Sequence, residues 1–574
     1  MTPLRRSLLA AGAATLLLPA WVAAEPLWVF FADKPGGRGE ALSWPAPRQV
    51  RAGPGLDVDL DRRYTAAVEA LGLRVRARSR WFNAVSVDAD PGWADRLRRL
   101  SFVREVRPVR RWRRPSPAWP AEPPPGRLAP RPADLDYGPS LAQVAAVDVP
   151  LLHTRGLLGE GVRVALIDAG FNWTAHAAFA GLRVVAARDF INGDDEVGDE
   201  PGQPVTGDEA DHGQNIHGTG VLGVIAGNDP GRLIGVAPAA EYLLAKTEDI
   251  TPSEGGGARE LPIEEDRWVA AIEWADSLGA RVVNASVGYN RFDDGTGYDW
   301  EDLDGATALT SRAAELAVAR GIVVVAAAGN EALRDWHYVT VPADAPGVIA
   351  VGSVHPWSGE IAPSSSRGPT ADGRIKPDVV APGRGVFTVS GRGAAEGSEP
   401  FSVREYSQVS GTSYAAPIAA GVCALLLQQH PGWTPEDVAS ALRSTAVDLG
   451  PAGPDTLYGW GRVDAARASG LKAPRPAASA ALAPFPNPAR GAAPTVHFPV
   501  DLAGAESLSL RLFDAAGALV HVIDRRRLPA GTYHLPGLAL SWEVGGDFAS
   551  GVYYYRLEGD SFRRTGKIAV LRGL

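Results

Sequence analysis

The sequence predicts an α/β protein with a doubly wound, mostly parallel sheet, preceded by a small α+β domain and followed by an all-β sandwich. Between residues 137 and 470, apolar runs such as VRVALID, RVVNASV and GIVVVAAAG alternate with helical patterns such as EDRWVAAIEWADSLG. Continuous apolar strands separated by helices indicate a parallel sheet covered on both faces. The chain has 574 residues, which is more than a single hydrophobic core accommodates, and this length favours several domains.

Residues 1–24 have the pattern of an export signal. Arg5 and Arg6 precede an apolar stretch that is too short to span a bilayer, and the small residues Ala23 and Ala24 mark a cleavage site. An uncleaved anchor is the alternative, and the arginine pair leaves Sec and twin-arginine export both open. The pattern predicts a protein that is secreted or held at the cell surface.

Residues 25–115 predict the small α+β domain. LWVFFA, RWFNAVSVDA and FVREVRPV have the composition of strands, whereas YTAAVEALGL and GWADRLRRL have helical patterns. Residues 116–136 follow as a proline-rich linker, because proline lacks an N–H donor and keeps the backbone extended. Exposed chain of this kind is easily cut by proteases.

Two polar residues stand where predicted strands of the central segment, residues 137–470, come to an end. Asp168 ends VRVALID, and Asn330 follows the strand in GIVVVAAAGN. Sites in open α/β sheets form beyond the carboxyl ends of the strands, where a carboxylate can orient an imidazole and an amide can donate to an oxyanion. Taken alone, each residue also fits an ordinary turn.

Two further polar residues begin helical patterns. His217 opens HGTGVLGVIAG, which contains a literal G-x-G-x-x-G, but a dinucleotide site requires a strand directly upstream and the acidic loop GDEADHGQNI stands there instead. Ser413 lies in SGTSYAAPIAAG, where a helix N-terminus favours negative charge on an attacked carbonyl oxygen. Singly, His217 also fits a structural histidine and Ser413 a helix cap.

Together, the motifs LIDAGF, HGTGV, AAAGN and SGTSYAAP resemble those of the subtilisin-like serine peptidases, in the same chain order. NASVG, SSSRGP and KPDVVAPG extend the resemblance over residues 137–470. It implies a subtilisin-like fold and a serine endopeptidase with Asp168, His217 and Ser413 as its triad and Asn330 in its oxyanion hole. The residues implied to line the substrate cleft are Ser286, Val287 and Gly288 on one side and Ala327, Ala328 and Gly329 on the other. Their small side chains are expected to leave room for a side chain of the substrate.

Two other functions remain in contention. A catalytically inactive, surface-binding protein fits the same scaffold, although every catalytic position is filled. A different α/β hydrolase is disfavoured because the nucleophile-elbow pattern G-x-S-x-G is missing, residue 415 being Ala. Hydrolysis of proteins, as opposed to simple esters, separates the peptidase from an esterase.

The N-terminal domain resembles a subtilisin propeptide, with FNAVSV and FVREVRPV as its matching strands. The resemblance implies a self-processing zymogen whose propeptide assists folding and inhibits the enzyme. Activity then requires a cut in the linker, between Pro115 and Tyr137. Arginines crowd this N-terminal segment while the rest of the chain is acidic, which favours docking.

After a linker at residues 471–483, residues 484–574 predict an all-β sandwich. ESLSLRLFD, ALVHVID, GTYHL and GVYYYRLEGD are short strand patterns separated by glycine turns. With PFPNPARG and the terminal GKIAVLRGL, this segment resembles the sorting domains of type IX secretion, which implies the secretion machinery as a partner. A carbohydrate- or surface-binding module is the alternative.

Charge and cysteine content limit the other partners. A net charge of −9 disfavours nucleic acid, and the single Cys423 excludes an intramolecular disulfide and fits a buried core position. The predicted partners are protein or peptide substrates and the chain's own propeptide. The implied chemistry needs no cofactor. The acidic insertions INGDDEVGDEPGQPVTGDEAD, EGGGARELPIEED and RFDDGTGYDWEDLDG suit a structural Ca²⁺ ion, which takes several oxygen ligands, or are solvated surface.

Overall fold

The structure is a computed structural model that describes most of the three predicted domains. The described residues are 25–35, 58–89, 92–108, 135–174, 176–198, 216–250, 260–356, 358–390, 406–471, 478–484, 487–490, 495–503, 506–528, 531–533, 540–545 and 548–571. The predicted export signal and nearly all of the proline-rich linker lie outside them.

The N-terminal domain is a four-stranded antiparallel sheet with two helices. Its elements are β1 (Glu25–Phe31), α1 (Arg62–Glu69), β2 (Arg74–Ser79), β3 (Ala84–Ala89), α2 (Trp93–Arg98) and β4 (Val103–Pro108). The strand order is β2-β3-β1-β4, which is the split β-α-β arrangement. Successive residues of β1 face opposite sides of the sheet. Leu27, Val29 and Phe31 lie in the domain's own core, whereas Trp28 and Phe30 join a core of the central domain.

The central domain contains eight α-helices and eleven strands among the residues that the structure describes. They are α3 (Leu141–Ala145), α4 (Val149–His153), β5 (Arg163–Asp168), β6 (Arg183–Asp189), α5 (Ile216–Ala226), β7 (Asn228–Asp229), β8 (Leu233–Ile234), β9 (Glu241–Lys246), α6 (Pro262–Ser277), β10 (Val282–Ala285), α7 (Leu309–Ala319), β11 (Val323–Ala327), β12 (Ile349–Val354), β13 (Val379–Pro382), β14 (Val386–Val389), β15 (Tyr406–Val409), α8 (Thr412–Gln429), α9 (Pro435–Thr445) and α10 (Ala465–Ala468).

Seven of these strands form one parallel sheet in the order β13-β12-β11-β10-β5-β9-β6. Both faces of the sheet are buried, as the continuous apolar runs predict. Val164 and Leu166 of β5 lie in a core with residues of α5 and α8, and Ala165 and Ile167 lie in a second core with residues of α6 and α7. The predicted doubly wound α/β fold is therefore confirmed.

The order of the strands reverses next to β5. From β5 the chain adds β6 and β9 on one side of the sheet, and then crosses to add β10, β11, β12 and β13 on the other. Such a switch point leaves a crevice beyond the carboxyl ends of the adjacent strands. The fold thus places the ends of β5 and β10 at the edge where a site is expected.

The C-terminal domain consists of β-strands only in its described residues. Its strands are β16 (Ala480–Ala481), β17 (Ala489–Arg490), β18 (Thr495–Phe498), β19 (Val500–Leu502), β20 (Glu506–Phe513), β21 (Leu519–Leu528), β22 (Gly531–Tyr533), β23 (Leu540–Glu543), β24 (Gly551–Glu558) and β25 (Arg563–Leu571). The sheet β17-β25-β24-β20-β21 and the pair β18-β23 share a core around Trp542, which confirms the predicted all-β domain. No described helix has both the length and the apolar character needed to cross a membrane.

Candidate active site

Asp168 and His217 meet at the carboxyl end of β5. Asp168 is the last residue of that strand and is fully buried. Its Oδ1 accepts hydrogen bonds from the backbone N–H of Ala169 at 2.8 Å and from Nδ1 of His217 at 2.7 Å. His217 lies in the first turn of α5, and about a third (34%) of its side chain is exposed. The imidazole is therefore held by the carboxylate on its inner side and open on its outer side.

The charge of Asp168 changes how readily His217 takes up a proton. Burial of the ring opposes the charged form, but the attraction and hydrogen bond of the Asp168 carboxylate outweigh it and raise the pKa of His217 above its ordinary value. Because Nδ1 carries the proton shared with Asp168, Nε2 is the nitrogen that can accept another. The pair has the chemistry of an oriented general base.

Glycines of the HGTGVLG motif allow α5 to lie against its neighbours. A β-carbon on Gly218 would lie 2.2 Å from the carbonyl oxygen of Gly170 and 3.0 Å from Asp168 Oδ1. A β-carbon on Gly223 would lie 2.4 Å from the hydroxyl of Thr388. The literal G-x-G-x-x-G pattern thus serves the packing of this helix, which agrees with the argument against a dinucleotide site.

Ser413 lies in the first turn of α8, and its backbone is hydrogen-bonded to a residue that directly follows β10. Its carbonyl oxygen accepts a hydrogen bond from Ser286 Oγ at 2.7 Å, and Ser286 Oγ accepts one from Asn284 Nδ2 at 2.9 Å. The ring of the next residue, Tyr414, packs on the ring of His217 with 5.6 Å between centroids. The first turns of α5 and α8 are therefore adjacent, with Ser413 and His217 at their junction.

Asn330 projects from the loop after β11 toward the start of α8. Its side chain is exposed, and its Oδ1 accepts hydrogen bonds from the backbone N–H of Thr412 at 3.0 Å and from the Thr412 hydroxyl at 3.3 Å. The Thr412 hydroxyl in turn accepts from the backbone N–H of Gly329 at 3.1 Å. With its oxygen engaged, Asn330 presents the Nδ2 amide as a donor at the same end of α8 as Ser413.

The six residues predicted to line a cleft lie on two neighbouring strand ends. Ser286, Val287 and Gly288 directly follow β10, whereas Ala327 ends β11 and Ala328 and Gly329 follow it. The two strands pair in parallel, with Ala285 opposite Ala326. These two wall segments therefore leave the sheet side by side, at the same edge as Asp168.

Two contributors to this site were not singled out by the sequence analysis. Thr412 links Asn330 to Gly329, and Tyr414 packs on His217. Both stand beside Ser413 within SGTSYAAP, so their place in this motif was the sequence signal that could have indicated a role in the site. Their roles depend on contacts with segments about 80 and 200 residues away in the chain, which the local pattern does not contain.

Several acidic side chains of the predicted calcium segments cap turns in their own loops. Asp294 Oδ1 accepts a hydrogen bond from the backbone N–H of Thr296, and Asp302 Oδ2 accepts one from the backbone N–H of Asp299. Within the described ranges, no three His, Cys, Asp or Glu side chains are grouped so as to hold a metal ion. Much of the first two acidic insertions lies outside those ranges, so calcium binding stays a prediction.

The fold and this cluster define a class of protein. A parallel α/β sheet that carries an aspartate, a histidine and a serine at one edge, in that chain order, is the architecture of a subtilisin-like serine peptidase. Comparison with protein-family models gives the particular family: the chain belongs to the subtilase family, whose model matches residues 159–461. A second model, the peptidase S8 propeptide domain of Bacteroidota, matches residues 26–120.

Individual relatives agree with this assignment. The chain is 29% identical to subtilisin BL of Lederbergia lenta over 326 residues, which cover 57% of this chain and 97% of the relative. It is 32% identical to subtilisin E of Bacillus subtilis strain 168 over 309 residues, or 54% of this chain and 66% of the relative. Among solved structures, fervidolysin from Fervidobacterium pennivorans, described as a keratinolytic enzyme related to subtilisin, is similar in fold, with a TM-score of 0.55 at 21% identity over 97% of this chain and 79% of the other.

Proposed function

We propose that this peptidase is a secreted endopeptidase that cleaves peptide bonds through Ser413, His217 and Asp168. The observation that carries the proposal is the 2.7 Å hydrogen bond between His217 Nδ1 and the buried Asp168 carboxylate, beside the first turn of α8. In this mechanism His217 Nε2 takes the proton of Ser413 Oγ as that oxygen attacks the substrate carbonyl carbon. Asp168 keeps the imidazole in the required tautomer and stabilises its positive charge.

The tetrahedral intermediate needs donors for its oxyanion. The Nδ2 amide of Asn330 and the backbone N–H of Ser413 are the proposed donors, because both lie at the N-terminal end of α8 where negative charge is favoured. His217 then gives its proton to the leaving amine, and an acyl-enzyme forms on Ser413. Water, activated by the same imidazole, hydrolyses that ester and regenerates the serine.

The two wall segments are proposed to bind the substrate on either side of the reacting bond. Residues 286–288 and 327–329 both leave the sheet at the edge that carries Asp168, and Ser286 contacts the carbonyl of Ser413. Backbone groups at such strand ends can pair with an extended peptide, since extended chains satisfy their hydrogen bonds by adding to neighbouring strands.

The N-terminal domain is proposed to be an inhibitory propeptide that the peptidase removes. Support comes from the matching propeptide model and from contacts to α6, where the Ser86 hydroxyl donates to Asp266 at 2.6 Å and Arg80 N–H donates to Glu273 at 3.0 Å. Trp28 and Phe30 also lie in a core shared with α6 and α7. Cleavage between Pro115 and Tyr137 would leave this domain bound until it is released or degraded.

Export is the last part of the proposal. Residues 1–24 carry the signal pattern, and the described part of residues 484–574 is all-β, in a segment whose motifs resemble type IX sorting domains. We propose that the chain leaves the cell by this two-part route and acts outside it or at its surface.

The experiment that tests the proposed function compares the purified precursor with Ser413→Ala. We expect the wild-type precursor to lose its N-terminal domain and digest casein, because both steps need the same nucleophile. The variant should remain full-length and inactive, with an unchanged circular dichroism spectrum as the control for folding. Equal processing and equal casein digestion by the two proteins would rule out Ser413 as the nucleophile.

A further inference from the structure

The outer face of the five-stranded sheet in the C-terminal domain carries apolar side chains that are exposed to solvent. Along β24, Tyr553 and Tyr555 lie in the domain's core, so the residues that alternate with them face outward. Of these outward residues, Tyr554 is 49% exposed and Val552 is 42% exposed. Phe513 of β20 stands directly opposite Tyr554 on the same face. Neighbouring apolar groups that stay in solvent are typical of a binding surface.

Positively charged side chains lie beside these apolar groups. Lys567 of β25 stands directly opposite Tyr554, on the side away from β20. One row further along the strands, Arg511 of β20 and Arg556 of β24 stand opposite each other. Like charges in directly opposite positions of a sheet are destabilising, so the stability of the fold does not explain this pair of arginines.

Cations outnumber carboxylates on this face. Glu558 Oε2 lies 3.1 Å from Arg511 Nη1 and 3.3 Å from Arg556 Nε, and Glu558 Oε1 lies 3.4 Å from Arg563 Nε. One carboxylate is thus shared by three guanidinium groups. On the described side chains of β20, β21, β24 and β25, the outward cations are Arg511, Arg556, Arg563 and Lys567, and the outward carboxylates are Glu558 and Asp524. The excess of positive charge favours an anionic ligand.

The aromatic rings and the cations line one shallow groove. Its lining includes Phe513, Tyr554, Arg556 and Lys567, and its volume is about 380 Å³. This volume lies in the range of about 300–1,000 Å³ that is usual for small-ligand sites. The guanidinium carbon of Arg556 lies 5.8 Å from the centre of the Phe513 ring, within the range of a cation–π interaction. A ligand in the groove therefore meets an aromatic ring and a cation together.

The position of β24 inside the sheet limits the kind of ligand. β24 pairs with β20 on one side and with β25 on the other, so its backbone groups cannot bind a peptide by strand addition. Side chains must therefore recognise the ligand. The flat C–H face of a sugar ring stacks on an aromatic ring, and a carboxylate on that sugar accepts hydrogen bonds from guanidinium and ammonium groups. An acidic peptide offers the charge but lacks a flat ring in each unit.

We propose that this outer face binds an acidic polysaccharide, with sugar rings on Tyr554 and Phe513 and sugar carboxylates at Lys567 and Arg556. The C-terminal domain thereby holds the peptidase at a surface that is coated with such a polymer. The inference goes beyond the proposed function and does not depend on it, because the binding uses neither Ser413 nor the removal of the propeptide.

The test is isothermal titration calorimetry of the full-length Ser413→Ala precursor with polygalacturonate, neutral dextran or polyglutamate. We expect polygalacturonate to bind, with an affinity that falls as NaCl is added, and dextran not to bind. Tyr554→Ala should lower the affinity about 10-fold or more, because aromatic anchors carry much of the energy of a binding surface. Tyr554→Phe keeps the ring and should bind as the precursor does. Lys567→Gln should lower the affinity by up to about 5-fold, as expected for one exposed ion pair.

Matched controls come from exposed side chains of the other domains. Leu71→Ala, in the N-terminal domain, is the control for Tyr554→Ala, and Arg155→Gln, in the central domain, is the control for Lys567→Gln. Both controls should bind polygalacturonate with the affinity of the precursor. All four positions are exposed, so we expect each variant to fold, and an unchanged circular dichroism spectrum checks this.

Any of four results would overturn the inference. Polygalacturonate does not bind, or it binds equally to the precursor, Tyr554→Ala and Lys567→Gln. Dextran binds as tightly as polygalacturonate, which would remove the role of the charges. Polyglutamate binds as tightly as polygalacturonate, which would assign the face to an acidic protein segment instead. None of these results bears on the proposed peptidase activity, which is measured separately by casein digestion.

Discussion

Thr412 connects the loop that carries Asn330 with the first turn of α8, which carries Ser413. Its backbone N–H and its hydroxyl both bond to Asn330 Oδ1, and the hydroxyl also accepts from Gly329 N–H. Hydrogen bonds of this kind hold the asparagine amide in one orientation, so in the proposed mechanism its Nδ2 donor needs no rearrangement when charge develops on the substrate. Donors that are fixed in advance are the main source of oxyanion stabilisation in enzymes.

Substitutions of Asn330 test whether its Nδ2 amide acts as an oxyanion donor. Loss of one oxyanion donor in subtilisin lowers turnover by about 100- to 1000-fold, and we expect Asn330→Ala to lower kcat by a similar factor with little change in KM. Asn330→Asp keeps the oxygen that accepts from Thr412 but lacks the donor, so it should be equally impaired. Steady-state kinetics on one p-nitroanilide substrate measures both. A kcat near the wild-type value in either variant would remove Asn330 from the oxyanion hole.

The positions of residues at strand ends could be predicted from the sequence. The positions of residues that other segments bring into the site could not. The ends of VRVALID and GIVVVAAAG were expected at one edge because parallel strands share their carboxyl ends, and the structure places Asp168 and Asn330 at that edge. Thr340 packs against Gly288 and Gly329, although the local sequence around it is that of an ordinary loop and does not indicate these contacts. Its position depends on hydrogen bonds to Ala328 and Tyr289, which only the folded chain brings together.

At the scale of elements, the N-terminal domain contacts α6 through specific hydrogen bonds. Glu273 of α6 accepts hydrogen bonds from the Ser79 hydroxyl and from the backbone N–H of Arg80, in the turn between β2 and β3. Burial raises the pKa of this carboxyl to about 7, although the hydrogen bonds act in the opposite direction. One acidic side chain thereby caps a turn of the propeptide.

Glu273→Ala should weaken the docking of the propeptide. The change leaves the donors of Ser79 and Arg80 without an acceptor at a buried surface, which costs about 1–3 kcal/mol, or about 5- to 150-fold in affinity. The measurement is retention of the N-terminal fragment on size exclusion, after trypsin has cut the linker of the Ser413→Ala precursor. Glu160→Ala, at an exposed glutamate, is the control. Equal retention in all three proteins would contradict the capping role.

The same carboxyl predicts a pH dependence for this docking. Its pKa of about 7 in the docked state exceeds the ordinary 4.5, so docking is coupled to uptake of a proton. The contribution of Glu273 to docking should therefore weaken as the pH rises through about 7. In Glu273→Ala this part of the pH dependence should disappear.

Two strands that were not predicted from the sequence share one physical feature. β2 (RVRARS) and β6 (RVVAARD) lie at the edges of their sheets and carry arginines on exposed or half-buried positions. An edge strand buries only part of its surface, so its apolar pattern is weak. Interior strands such as β5 and β11 are buried along nearly their whole length, and their apolar runs made them predictable.

On the scale of the whole molecule, the switch point of the sheet gathers residues that are far apart in sequence. β5 and β10 lie side by side, and helices α5 and α8 begin at the same edge. The N-terminal sheet covers α6 and α7 on the opposite face of the central sheet from α5 and α8. The arrangement separates the surface that holds the propeptide's sheet from the helices that carry Ser413 and His217.

The proposed triad is tested by the rate at which a fluorophosphonate labels the processed enzyme over a range of pH, with peptide mapping to locate the label. Ser413 Oγ should displace fluoride and carry the label, and His217→Ala should slow the reaction strongly. Because Asp168 raises the pKa of His217 above 6.5, the rate should fall as the pH drops through that raised value. A label on another residue, or casein digestion that persists while Ser413 stays fully labelled, would contradict Ser413 as the nucleophile.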